Sequence, residues 1–78
     1  MVIGGNKVQV KYTKHARLQM ERRKIAEESV LDVPNNPDEF RQGSHSNETI
    51  AIKHFGRKRL RVIYISEPDG IRIITATH

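Results

Sequence analysis

The sequence predicts one small α+β domain, with helices preceded by a short strand and packed on a three- to four-stranded antiparallel sheet. Three observations predict it. Seventy-eight residues allow only one thin core. Helix-forming residues fill positions 14–34, and the last 30 residues alternate and are rich in β-branched side chains. Turn chemistry punctuates that second half at regular intervals.

Residues 1–6 read as a loose arm. From Lys7 to Tyr12 the chain alternates, Val8, Val10 and Tyr12 against Lys7, Gln9 and Lys11, which describes a strand over 7–12. Thr13 offers a capping hydroxyl, and Lys14 to Arg23 holds good helix formers without Gly or Pro. Wound at 100° per residue, Ala16 and Met20 share one flank and Leu18 lies on another. Arg22, His15, Gln19 and Arg23 form a polar stripe. Burying that stripe without partners is costly, so it belongs at the core's edge or in a groove.

Ile25 closes the first helix and a second starts near Ala26. Glu27 and Glu28 sit in its first turn, where the helix dipole favours negative charge. Val30, Leu31 and Val33 supply its apolar side, and Pro34-Asn35-Asn36-Pro37 stops it. The sheet is expected over 39–77. Residues 49–55, 60–66 and 71–77 form a meander, and a fourth strand comes from 39–42 or from 7–12. Phe55-Gly56-Arg57-Lys58 makes a tight connection; in Glu67-Pro68-Asp69-Gly70, Pro presets one corner and Gly is expected to accept positive φ. Residues 59–66 carry apolar side chains on both faces, Leu60, Val62 and Tyr64 against Arg61, Ile63 and Ile65. Two short helices cover one face only, which leaves apolar surface beside arginines for a protein contact, a homodimer included.

The chain has no cysteine, which excludes disulfides, thiolate catalysis and cysteine-bound zinc. Its start carries no secretory signal and no run suits a membrane span, so a cytoplasmic protein with no membrane partner is expected. Four scattered histidines lack metal-ligand spacing, and neither metal nor cofactor is expected. Fourteen Lys and Arg oppose nine Asp and Glu, for a net charge of +5. The cations gather at Lys11, Lys14, Arg17, Arg22, Arg23 and Lys24, and again at Arg57, Lys58, Arg59 and Arg61. If the helix lies on the sheet, the two clusters fuse into one polyanion-binding patch, with RNA the expected partner. The bland alternative is a solvated surface.

Metal-free RNA cleavage needs a base for the 2′-hydroxyl, cations for the phosphorane charge and an acid for the leaving oxygen. His15 opens the first helix among cations, as a proton-transfer group or as a structural cap. Arg57, Arg59 and Arg61 alternate and suit bidentate phosphate contact, or cross-strand pairing to Glu48 or Glu67. Tyr64, Thr75 and His78 add hydroxyls and an imidazole from neighbouring strands. Composition alone does not choose among these candidates.

Tyr12-Thr13-Lys14-His15-Ala16-Arg17, followed by Met20, Arg23, Ile25, Glu27-Glu28-Ser29-Val30 and Asn36-Pro37, forms a recognisable order. So does Gly56-Arg57-Lys58-Arg59-Leu60-Arg61-Val62-Ile63-Tyr64 with Ile74-Thr75-Ala76. Over residues 10–77 the chain resembles domain of unknown function 4258, a family similar to RelE-like and BrnT-like toxins of ribonuclease-type fold. The resemblance implies the toxin of a toxin–antitoxin pair, a metal-independent endoribonuclease held by a cognate antitoxin protein. By position it places the family's helix histidine on His15, its helix-end arginine on Arg23 and its strand positions on Arg59, Arg61, Tyr64 and Thr75. His15 is then the expected base or acid, Arg59 and Arg61 hold phosphate, Tyr64 and Thr75 position the substrate, and Arg23 contacts RNA. The remaining RNA contacts are then expected from Lys14, Arg17, Arg22, Arg57, Lys58 and His78. Two positions depart from the family pattern. Gln19 stands where many members carry arginine, which removes a cation. Lys24 stands where many carry glycine, so the helix must end without glycine's freedom, at about 1 kcal/mol. Two further readings stay open: a non-catalytic nucleic-acid-binding module, and a protein-interaction domain using the exposed sheet face.

Overall fold

The computed structural model describes residues 9–45 and 47–78. The expected arm over 1–6 and the first two residues of the 7–12 strand lie outside them. The elements run β1 (Gln9–Tyr12), α1 (Lys14–Arg23), α2 (Glu27–Asn35), β2 (Glu39–Gln42), β3 (Glu48–Phe55), β4 (Lys58–Glu67) and β5 (Gly70–Thr77). The fold is α+β, as the periodicities predict.

The sheet departs from expectation in two ways. It has five strands in the order β1-β5-β4-β3-β2, because both candidate fourth strands join it. It is also mixed: β2 to β5 form an antiparallel meander, whereas β1 pairs parallel to β5. Alternation marks a strand without fixing its neighbour or direction, so the partner of β1 was not readable.

Gly70 explains how β1 gets so close. A Cβ there would overlap the backbone of Gln9, and the Gln9 N–H donates to Asp69 O at 2.9 Å. Among the described residues Gly56 is the glycine with positive φ, at 63°, in the β3–β4 turn. Gly70 is therefore needed for close approach, and not for the positive φ expected of it.

Both helices pack on one side of the sheet, α1 over β5 and β1, α2 over β4 and β3. Ala16, Met20, Ile25, Val30 and Val33 meet Ala51, Leu60, Val62, Ile73 and Ala76 in the core. Leu18 is left 48% exposed, consistent with its separate flank. The caps are those of a well-terminated first helix. Thr13 Oγ1 accepts from the Ala16 N–H at 3.1 Å and donates to Ile74 O at 3.2 Å, tying the helix start to β5. At the other end Lys24 adopts φ 55° and ψ 48°. The Lys24 N–H donates to Glu21 O, and the Ile25 N–H to Met20 O at 2.8 Å. This paired closure, with Ile25 and Met20 both in the core, is a Schellman motif built on lysine.

β1 ends at Tyr12, so it leaves the second half of β5 with an open edge. Side chains of α1 and its cap close that edge. Besides Thr13, Gln19 Oε1 accepts the Ala76 N–H at 3.1 Å. The residue expected only as a missing cation is therefore a sheet-edge cap, a job that needs an acceptor and that arginine cannot do.

Candidate nucleic-acid interface

The Schellman turn reverses the chain sharply between α1 and α2, and the reversal builds a cleft. Its helical wall holds Arg23, Lys24, Ala26 and Ser29, with Ile25 behind them. Phe55, Lys58 and Leu60 come from the β3–β4 hairpin, and His78 follows β5. The cavity measures about 480 Å³. Ile25 and Leu60 belong to the core, so the cleft has an apolar floor with cationic groups arranged around it. Among the described residues Arg23, Lys24 and Lys58 have no salt-bridge partner. Ala26 caps α2 without a side-chain hydrogen bond, so the positive end of that helix also faces this region.

The turn that brings Lys58 here is short because Gly56 takes positive φ at its first corner, leaving Phe55 and Lys58 directly paired. Phe55 is half-buried, and the Lys53 ammonium lies 5.9 Å from its ring centre. Lys53 itself is held by Asp32 at 3.0 Å.

The other predicted site residues are dispersed. Arg59 and Arg61 alternate with the core residues Leu60 and Val62, so they project from the face opposite the helices. Thr75 shares that outer face, opposite Ile63, and a β-bulge beyond this pair sets Tyr64 against Ile73. Tyr64 turns the other way and packs against the core. His15 is exposed on α1, on the helical side of the sheet. The expected joining of His15 with Arg59 and Arg61 is thus absent: the sheet stands between them. Lys14 and Arg22 are exposed on α1, and Arg57 is exposed in the β3–β4 turn.

Arg17 is already engaged. Its guanidinium contacts Glu27 at 2.8 Å and stacks 4.3 Å from the centre of the Tyr12 ring. The Tyr12 hydroxyl is buried without a partner among the described residues, and burial, then the nearby Glu27 charge, raises its pKa from the usual 10.0. Glu48 and Glu67, the expected partners of the strand arginines, are taken elsewhere. Glu67 holds Lys11 and Arg72, and Glu48 accepts the Ser44 N–H at 2.9 Å.

Of the predicted RNA contacts, the cleft collects Arg23, Lys58 and His78. It adds Phe55, and Lys24, which the sequence places in a basic cluster but not among the RNA contacts. The positive φ that places Lys24 at the chain reversal is a property of the fold and leaves no mark in the sequence.

These features define a small basic α+β domain with a concave, cation-lined cleft at one end of its helical layer. The chain belongs to the domain of unknown function 4258 family, whose model matches residues 12–78. No curated protein and no solved structure matches it. Among the described residues, no helix is long and apolar enough to cross a membrane.

Proposed function

We propose that this domain binds single-stranded RNA, seating a phosphate and an adjacent base in the cleft between the α1–α2 reversal and the β3–β4 hairpin. The observation that carries the reading is the convergence of Arg23, Lys24, Lys58 and His78 from three separate segments around an apolar floor. Free cations neutralise phosphate and release counterions, and an aromatic ring offers a base a stacking surface. Phe55 stands beside those cations. The hollow is too small to enclose a duplex, and unpaired strands are the form in which bases can be splayed onto a ring.

The test is fluorescence anisotropy of a labelled single-stranded RNA in EDTA, with the same sequence in DNA as a second arm. Arg23→Ala with Lys58→Ala should weaken binding at least about tenfold and flatten the salt dependence by about 0.7 per lost contact in log–log slope. Binding equal to wild type in a folded double variant removes the cleft from the account.

A catalytic reading is favoured by one feature, the imidazole of His78 among those cations. In it, His78 takes the 2′-hydroxyl proton and the 2′-oxygen attacks the adjacent phosphorus. The P–O5′ bond breaks, leaving a 2′,3′-cyclic phosphate and a 5′-hydroxyl whose proton comes from a nearby acid. Arg23 and Lys58 stabilise the phosphorane. This is the chemistry of a metal-independent endoribonuclease, the toxin role with a cognate antitoxin. Discrete RNA cleavage in EDTA that is lost in His78→Ala but kept in His15→Ala supports it; intact RNA at saturating, folded protein leaves the binding module.

A further inference from the structure

The cleft lies toward one end of the helical layer, and β2 borders the sheet on another side. This strand is the open edge beyond β3, and all four of its residues are exposed. Phe40, at its centre, is 71% exposed, more than any other large hydrophobic side chain among the described residues. Open edges are usually blunted by charge, because unpaired backbone groups template another strand. Here the blunting is incomplete. The charges on either side of Phe40 are of opposite sign, Glu39 and Arg41.

Register decides what such a strand can pair with. The Gly43 N–H donates to Glu48 O at 2.8 Å, and Arg41 and Glu39 pair with Ile50 and Ile52. In an antiparallel ladder the hydrogen-bonded positions recur every second residue, so Phe40, one residue out of step, turns its N–H and C=O to the open edge. Glu39 and Arg41 share the outer face with Ile52 and Ile50, whereas Phe40 shares the helical side with Ala51.

We propose that this edge pairs with the same edge of a second copy of the chain, antiparallel about a twofold axis through Phe40. When both copies keep their helices on the same side, side chains match faces only in registers centred on a residue. Centring on Phe40 sets the two phenyl rings against each other and closes both outward-pointing Phe40 backbone pairs. It also sets Glu39 of each copy opposite Arg41 of the other, giving two symmetric ion pairs. The strand is therefore self-complementary in backbone, ring and charge, as an isologous interface requires. Glu39 now faces His54 at 3.7 Å, a half-exposed pair that leaves the carboxylate accessible to the incoming guanidinium. Among the described residues the opposite edge offers no comparable match. On β1, Val10 and Tyr12 pack against the core, and Lys11 is held by Glu67.

A contact through one short strand is small, so association belongs in the weak class and is read by sedimentation equilibrium from about 10 to 500 μM. Wild type should gain mass toward a dimer across that range. Glu39→Arg alone and Arg41→Glu alone each create two like-charge oppositions and should raise the dissociation constant at least about tenfold. An equimolar mixture of the two variants restores both ion pairs and should dimerise again. Far-UV circular dichroism checks that each variant is folded, and Phe40→Ser gives an uncharged variant with the same expected loss. A wild type that stays monomeric, single variants that dimerise as wild type does, or a mixture that stays monomeric overturns the proposal.

Discussion

Among the described residues, two clusters of cations without salt-bridge partners invite comparison, one in the cleft and one on the outer sheet face. The cleft gathers Arg23, Lys24 and Lys58 from helix, loop and hairpin around a hollow of about 480 Å³. The outer sheet face carries Arg59 and Arg61 beside the half-buried Ile50, Ile63 and Ile65 and the buried Ile52, and neither helix packs on it. In sequence the two clusters look equivalent. The pleat separates them, since alternation sends Lys58 and Leu60 to the helical side and Arg59 and Arg61 away from it. Positive charge locates neither function nor partner until the fold says which cations can touch one ligand.

The comparison is broken most severely by a change beneath it. Leu60 forms part of the cleft floor and is 2% exposed, whereas Ile63 lies on the outer face and is half-buried. Leu60→Ala should cost about 3 kcal/mol of stability, and Ile63→Ala under about 1 kcal/mol, both by urea unfolding. Similar losses would mean that something covers the outer face. A functional contrast of intermediate size follows. Arg59→Ala with Arg61→Ala should change RNA affinity less than threefold, against the tenfold or greater loss of the cleft pair. The reverse ranking would move the interface to the outer face.

How far the sequence carries is clear from particular residues. The helix of 14–23, its Thr13 cap, the core role of Ala16 and Met20 and the three meander strands all follow from local periodicity, which tertiary structure here leaves intact. The parallel partner of β1 does not follow, because pairing across more than 55 residues leaves no mark on either strand's pattern. Nor does the split of the candidate site. The reading put the helix's His15 and the strand arginines on one patch, and the number of faces a two-layer domain presents defeats that inference. The polar stripe of α1 was legible as an edge feature, and Gln19 and Arg23 do lie at an edge and in a groove. What each does there depends on β5 and the hairpin.

Gln19 gives the third contrast, between a residue read as a lost cation and one that holds the sheet. The Ala76 N–H is part-buried and takes its acceptor from Gln19. Gln19→Arg leaves that donor unpaired and should cost about 1 to 2 kcal/mol. It should not raise RNA cleavage above that of wild type. A stable Gln19→Arg variant with higher ribonuclease activity than wild type would show that charge at this position matters more than the cap.

Lys24 is the smallest test and the one that separates folding from binding. Its backbone sits at φ 55°, where a side chain is strained and glycine is not. Lys24→Gly should therefore raise stability, by less than about 1 kcal/mol because glycine also gains freedom in the unfolded chain. The same change deletes a cleft cation and should weaken RNA binding severalfold, with a shallower salt dependence. Opposite signs from one substitution are hard to obtain from a structural role alone. If Lys24→Gly stabilises the protein and leaves RNA affinity and its salt slope unchanged, the lysine's charge faces solvent to no purpose, and the cleft loses one of its three free cations. If both effects appear, the chain has accepted backbone strain at the helix end to place a positive charge where the phosphate arrives.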